Sequence, residues 1–173
     1  MGTTLLVVAA LVLGYASLWF LVSVVVKRND VADIAWGLGY LMICVYLWLT
    51  QERTVVTILV YTLVTIWALR LAVHIYLRNR GKTEDFRYQQ WREDWGNSFY
   101  LRSYLQVYLL QGLLLWIIAL PIVIAGLSAA KELSGYTYLG MAMWSSGFFF
   151  QAVGDYQLTQ FVKTRTSKEE VLQ

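Results

Sequence analysis

The sequence holds one cysteine, one proline and one histidine, and only 14% of its 173 residues are charged. A single Cys44 excludes an internal disulfide and, with no second thiolate, a cysteine-based zinc centre. Lying in an apolar run, it reads as filler. His74 has no HExxH partner, so the paired ligands of a metallohydrolase are missing. Neither a phosphate loop ending in Gly-Lys-Ser/Thr nor a GxGxxG turn occurs, which excludes the usual soluble nucleotide folds. The few serines give no Ser-His-acid set. Metal hydrolysis, disulfide scaffolding and triad chemistry are therefore set aside.

Apolar residues, by contrast, are abundant. They make up 58% of the chain, and a mean hydropathy of +0.53 exceeds what a water-soluble surface carries. Five apolar runs, 4–26, 31–50, 54–77, 104–126 and 136–161, each approach the roughly 20 residues that cross a hydrocarbon core about 30 Å thick. This predicts an all-α integral membrane protein with five transmembrane helices in a single domain. The first run has no positive segment before it and exceeds a signal peptide's apolar core, so it reads as a retained helix. Pro121 falls in the fourth run, where neighbouring helices can satisfy the carbonyl it frees.

Lys and Arg number two, one, six, one and three in the successive connections and the tail, giving eleven on one side against two on the other. The positive-inside rule then puts the amino terminus outside and the carboxyl tail in the cytoplasm. Measured from the cytoplasmic ends, Asp33, Arg70, His74, Gln111, Gln151 and Asp155 all fall in the inner leaflet, the pattern of a polar cavity that opens inwards. Trp67, Arg70, His74 and Arg78 recur at three and four residues on the third helix, as Asp30, Asp33, Trp36 and Gly37 do on the second. A contact of Asp33 with Arg70 or His74 would satisfy both helices. The plainer reading is that such groups snorkel or tie helices together.

The connection RNRGKTEDFRYQQWREDWGNSFYLR, residues 78–102, packs six cations, four acids and six aromatic rings into one polar segment. Gly81 suits a helix stop, Thr83 suits a cap, and Glu84 with Asp85 would sit in a first turn. Tyr88, Trp91 and Trp95 share one helical face, which predicts an amphipathic cytoplasmic segment in the headgroup region. Two uses of it stay open. It anchors the bundle in anionic lipid, or it walls a site where Arg80, Lys82, Arg87 and Arg92 meet phosphates and Tyr88 or Trp91 stacks on a ring. Four interspersed acids disfavour nucleic acid as a partner.

The runs RNDVADIAWGLGY, WALRLAVHIYLRNRGKTEDFRYQQWREDWG, FYLRSYLQVYLLQG and FFFQAVGDYQLTQF together resemble the steroid 5-alpha-reductase-like membrane superfamily, in particular its bacterial branch of unassigned substrate. The resemblance covers about residues 27 to 163. It implies a helical membrane fold that takes NADPH from the cytoplasm and reduces a double bond conjugated to a carbonyl in a lipid-like substrate, with an acid and a tyrosine or histidine at the carbonyl oxygen. Arg80, Lys82, Glu84, Asp85, Arg87, Tyr88 and Arg92 match the cofactor-side connection, and Asp33 takes the place of the acid, supported by Arg70 and His74. Members continue into a G-L-W-x-x-S/T-R-H-P-N-Y segment and two more helices, whereas this chain ends at KTRTSKEEVLQ, which predicts the N-terminal part of a longer domain. An isoprenylcysteine-type methyltransferase using S-adenosylmethionine belongs to the same superfamily and is one alternative. A non-enzymatic membrane scaffold that binds lipid is the other.

Overall fold

A computed structural model describes residues 1–128, 130 and 132–164, and among these every regular element is helical. The chain divides into two compact units, Met1–Lys131 and Glu132–Gln173. In the first unit α1 (Gly2–Val26), α2 (Val31–Thr50) and α3 (Val55–Asn79) follow the first three apolar runs. Helix α1 ends because Lys27 turns into the left-handed region at φ 56° and the Arg28 amide bonds back to the Ser23 carbonyl at 3.1 Å. Helix α3 begins on a reciprocal cap, in which Thr57 N–H donates to Thr54 Oγ1 at 3.2 Å and Thr54 N–H donates to Thr57 Oγ1 at 2.8 Å. It stops at Asn79, just before Gly81 at φ 73°.

The connection after α3 is helical well before the fourth apolar run. Helix α4 (Phe86–Trp95) passes through a 3-10 turn at Gly96–Ser98, the short α5 (Phe99–Arg102) and a π-helical turn at Ser103–Leu109 into α6 (Leu110–Gly126). Asp85, not Thr83, caps α4, because its carboxylate accepts the Arg87 amide at 3.0 Å. Glu84 and Asp85 consequently precede the helix and are not in its first turn.

Four helical stretches are long and apolar enough to cross a membrane: Gly2–Val26, Val31–Thr50, Val55–Asn79 and Phe86–Gly126. The protein is a multi-pass membrane protein on that ground. The fifth expected crossing does form one helix, α7 (Gly135–Thr164), but α7 is not among the four. Its Gln151, Asp155, Gln157 and Gln160 dilute the apolar character that the other four keep. In its own unit α7 starts where Ser134 N–H donates to Thr137 Oγ1 at 3.2 Å, and Trp144 stacks on Phe148 at 4.9 Å. Lys131, Arg165, Lys168 and the carboxyl-terminal residues behind the expectation of a longer domain lie outside the described residues.

Helix α2 is the centre of the first unit and packs against α1, α3 and α6. Ile43, Leu47, Val8 and Val123 are fully enclosed there. The seam with α3 is tight because it is built on small residues. A Cβ added at Gly37 would lie 2.8 Å from the Ala68 carbonyl oxygen and 3.3 Å from the Ala72 amide nitrogen, both backbone atoms that cannot swing aside. Between helices in lipid, close backbone approach of this kind supplies much of the attraction. Gly37→Leu should force α2 and α3 apart and lower stability by about 1–3 kcal/mol, whereas Gly14→Leu, with nothing within 4 Å of the added Cβ, should be neutral. Thermal unfolding of both variants in one detergent checks this, and equal midpoints would contradict it.

Candidate functional site

The connections α1–α2 and α3–α4 meet at one end of the first unit, and there the polar side chains gather. Asp33, in the first turn of α2, is half-buried. The Tyr88 hydroxyl donates to its Oδ1 at 3.0 Å, and Arg87 Nη2 reaches its Oδ2 at 3.3 Å. Arg87 also forks onto Asp85, at 3.0 Å to Oδ1 and 3.2 Å to Oδ2. The partner that α2 finds for its acid is thus a buried tyrosine on α4, placed by the aromatic spacing of that helix. Arg70 and His74 lie half-buried on α3.

A second chain of contacts runs beside the first. The backbone N–H of Asn29 donates to Glu84 Oε1 at 2.5 Å, and Arg92 Nη2 meets the same oxygen at 3.1 Å. Asn29 is almost wholly buried; its Nδ2 donates to Ser103 Oγ at 3.1 Å and its carbonyl accepts from the Tyr108 hydroxyl at 3.3 Å. Ser103 and Tyr108 both belong to the π turn, whose wider winding brings residues five apart to the same side. Arg28 completes the cluster with a bidentate pair to Asp30 at 3.0 and 2.6 Å.

The cations expected to meet a phosphate therefore separate into two groups. Arg87 and Arg92 are held by Asp85, Asp33 and Glu84, and Arg92 also lies over the Phe99 ring at 4.0 Å. Arg80 and Lys82, on either side of Gly81, are exposed. Trp91 is half-buried, edge-on to Tyr88 at 5.3 Å and stacked on Trp95 at 5.1 Å. Among the described residues no group of three metal-ligating side chains forms.

Residues 19–173 match the family described as Protein of unknown function (DUF1295). The chain belongs to the DUF1295 family. No curated protein and no solved structure matches it.

Sequence reasoning placed Asp30 on the face of Asp33 but gave no site role to Arg28, Asn29, Asp30, Ser103 or Tyr108 in this DUF1295 chain. The one signal available for the first three was their position, a polar trio inserted between two apolar runs. Ser103 and Tyr108 gave no signal, because a spacing of five suits neither helix nor strand.

Two tests follow from these contacts. Glu84, whose side chain is 9% exposed, holds a backbone amide and a guanidinium together, so Glu84→Ala should cost about 2–4 kcal/mol, the loss of two charge-assisted bonds and the burial of unpaired donors; unfolding in denaturant measures it, and a loss below about 0.5 kcal/mol would contradict the arrangement. The Arg87 guanidinium, by hydrogen bonding to Asp85, holds that carboxyl below its usual range. A lowered folded-state value means the contact stabilises above the ordinary Asp value of about 3.9 and is lost as pH falls through the lowered one. Wild type should accordingly lose more stability than Asp85→Asn between pH 5 and pH 2, and parallel profiles would argue against the pair.

Proposed function

We propose that this chain acts as a membrane oxidoreductase that uses NADPH to reduce a conjugated double bond in a steroid- or lipid-like substrate. The observation that carries the reading is the Tyr88 hydroxyl lying 3.0 Å from the Asp33 carboxylate, with Arg87 on the other oxygen. A phenol donating to a carboxylate forms a proton-holding pair: the Asp33 carboxylate that accepts the Tyr88 O–H would orient the phenol beside a substrate carbonyl oxygen. Arg87 fixes the carboxyl in place. Arg70 and His74 stand as supporting polar groups on α3 in this reading.

Arg80 and Lys82 would hold the phosphates of NADPH, and Trp91 with Tyr88 would offer the aromatic wall. When bound, NADPH supplies the hydride. Glu84 and Asp85 act on the cofactor side by neutralising and orienting Arg92 and Arg87. An apolar groove of about 270 Å³ between α1 and α6, lined by Ala9, Leu13, Gly112 and Trp116 among others, suits the hydrocarbon of a lipid-like substrate. The reading also takes the basic end as cytoplasmic, the amino terminus as outside, α7 as a fifth crossing, and a bacterial cytoplasmic membrane as the site of action.

A second reading is favoured by the Trp91–Trp95 stack and the exposed Phe86 of α4, which are the features of an interfacial anchor. Under it the chain is a lipid-binding scaffold. Titration in neutral-lipid nanodiscs separates the possibilities. NADPH should bind, and Arg80→Gln with Lys82→Gln should weaken it by about tenfold per lost contact, roughly 1.4 kcal/mol each. Binding of S-adenosylmethionine in place of NADPH would transfer the chain to methyl transfer. Response to anionic lipid alone, with neither nucleotide binding, would leave the anchor.

A further inference from the structure

Arg28 makes more contacts than an ion pair needs. Besides its fork onto Asp30, Nη1 donates to the Lys82 carbonyl at 2.8 Å and Nη2 reaches the Thr83 carbonyl at 3.4 Å. The next residue continues the series, since the Asn29 amide holds Glu84. Residues 28 and 29 of one connection thus grip residues 82, 83 and 84 of the other in register. The Asp30 side chain that anchors the fork is only 3% exposed, so the guanidinium is set on a buried base before it reaches the turn.

The held segment adjoins Gly81 at φ 73° and ends the stretch carrying the exposed Arg80 and Lys82. Within the turn the backbone braces itself through Lys82 N–H, which donates to the Asn79 carbonyl at 3.2 Å. A six-residue link between two helices, residues 80–85 with a glycine inside it, has many conformations open to it, and fixing one costs entropy when a ligand must do the fixing. We propose that Arg28 is a positioning residue, a clamp that pre-sets the Gly81–Thr83 turn so that Arg80 and Lys82 face a phosphate-bearing ligand already ordered. The proposal deepens the nucleotide reading and rests on it for the identity of the ligand, though not for the existence of the clamp.

Arg suits the task for a geometric reason. Its planar fork serves a carboxylate with one edge and backbone carbonyls with the other, whereas a lysine ammonium is a point charge and cannot span both. Arg28→Lys keeps the charge beside Asp30 and gives up the carbonyl contacts.

Full-length protein in neutral-lipid nanodiscs provides the test, with two readouts on wild type, Arg28→Lys and Arg28→Gln. Limited trypsin digestion compares cleavage after Arg80 and Lys82 with cleavage after Arg53, which lies in the opposite connection. The expected result is cleavage in the 80–82 turn accelerated by at least fivefold in Arg28→Lys with cleavage after Arg53 unchanged. Unchanged ratios, or equal acceleration at both places in Arg28→Lys as well as Arg28→Gln, would overturn the clamp. NADPH titration is the second readout. Affinity should fall about tenfold in Arg28→Lys, and the same substitution should have no further effect once Arg80 and Lys82 are glutamine; a full additional loss in that background would mean that Arg28 acts on its own and overturn the positioning role. Absence of nucleotide binding in wild type would defeat the nucleotide reading, and the digestion ratio would then decide the clamp by itself.

Discussion

The carboxylate of Glu84 accepts the Asn29 amide from one connection and the Arg92 guanidinium from the helix that follows its own, and the basic end of the molecule depends on that double contact. Its weight comes from burial. An acid this enclosed is costly unless its lone pairs are used, and it repays the cost only if all its partners stay in place. Once Glu84 is fixed, the start of α4 is fixed, Tyr88 is directed at Asp33, and Arg87 falls between Asp33 and Asp85. The Asn29 side chain carries the same constraint inward to Ser103 and the π turn. A few polar contacts, each drawing two connections together, convert four apolar helices into a site with a definite face.

The helices below supply a different kind of order. Gly37 lets α2 lie against the backbone of α3, and Gly39 faces the Leu115 side chain of α6, whose methyl a Cβ there would displace. Small residues set the helix spacing, and large ones such as Ile43 and Leu47 fill what remains. Asp33 stands one turn before Gly37 on the same helix. Its height relative to α4 is therefore set by the seam with α3.

Much of this was legible in the sequence, and the divide between what was and was not has a physical cause. Apolar run length located α1, α2 and α3 almost to the residue, since hydrocarbon thickness acts on each helix independently. The spacing of Tyr88, Trp91 and Trp95 announced α4 for a similarly local reason. The partner of Asp33 was not legible: depth and periodicity allowed Arg70 or His74, and the chain brought Tyr88 and Arg87 to it by folding the connection back over α2. Asn29 escaped notice because its role is set by residues 55 and 74 positions away, which no local pattern records. The cap at Asp85 displaced the one expected at Thr83 because the clasp on 82–84 occupies the residues before it.

Amide hydrogen exchange at Asn29, in protein held in a bilayer, interrogates the clasp most directly. If Glu84 holds that N–H, exchange should be slow in wild type and faster by at least two orders of magnitude in Glu84→Ala, with the amides in the middle of α2 unaffected. Fast exchange at Asn29 in both proteins would show that the two connections are not joined there, and the account of the site would fall with it.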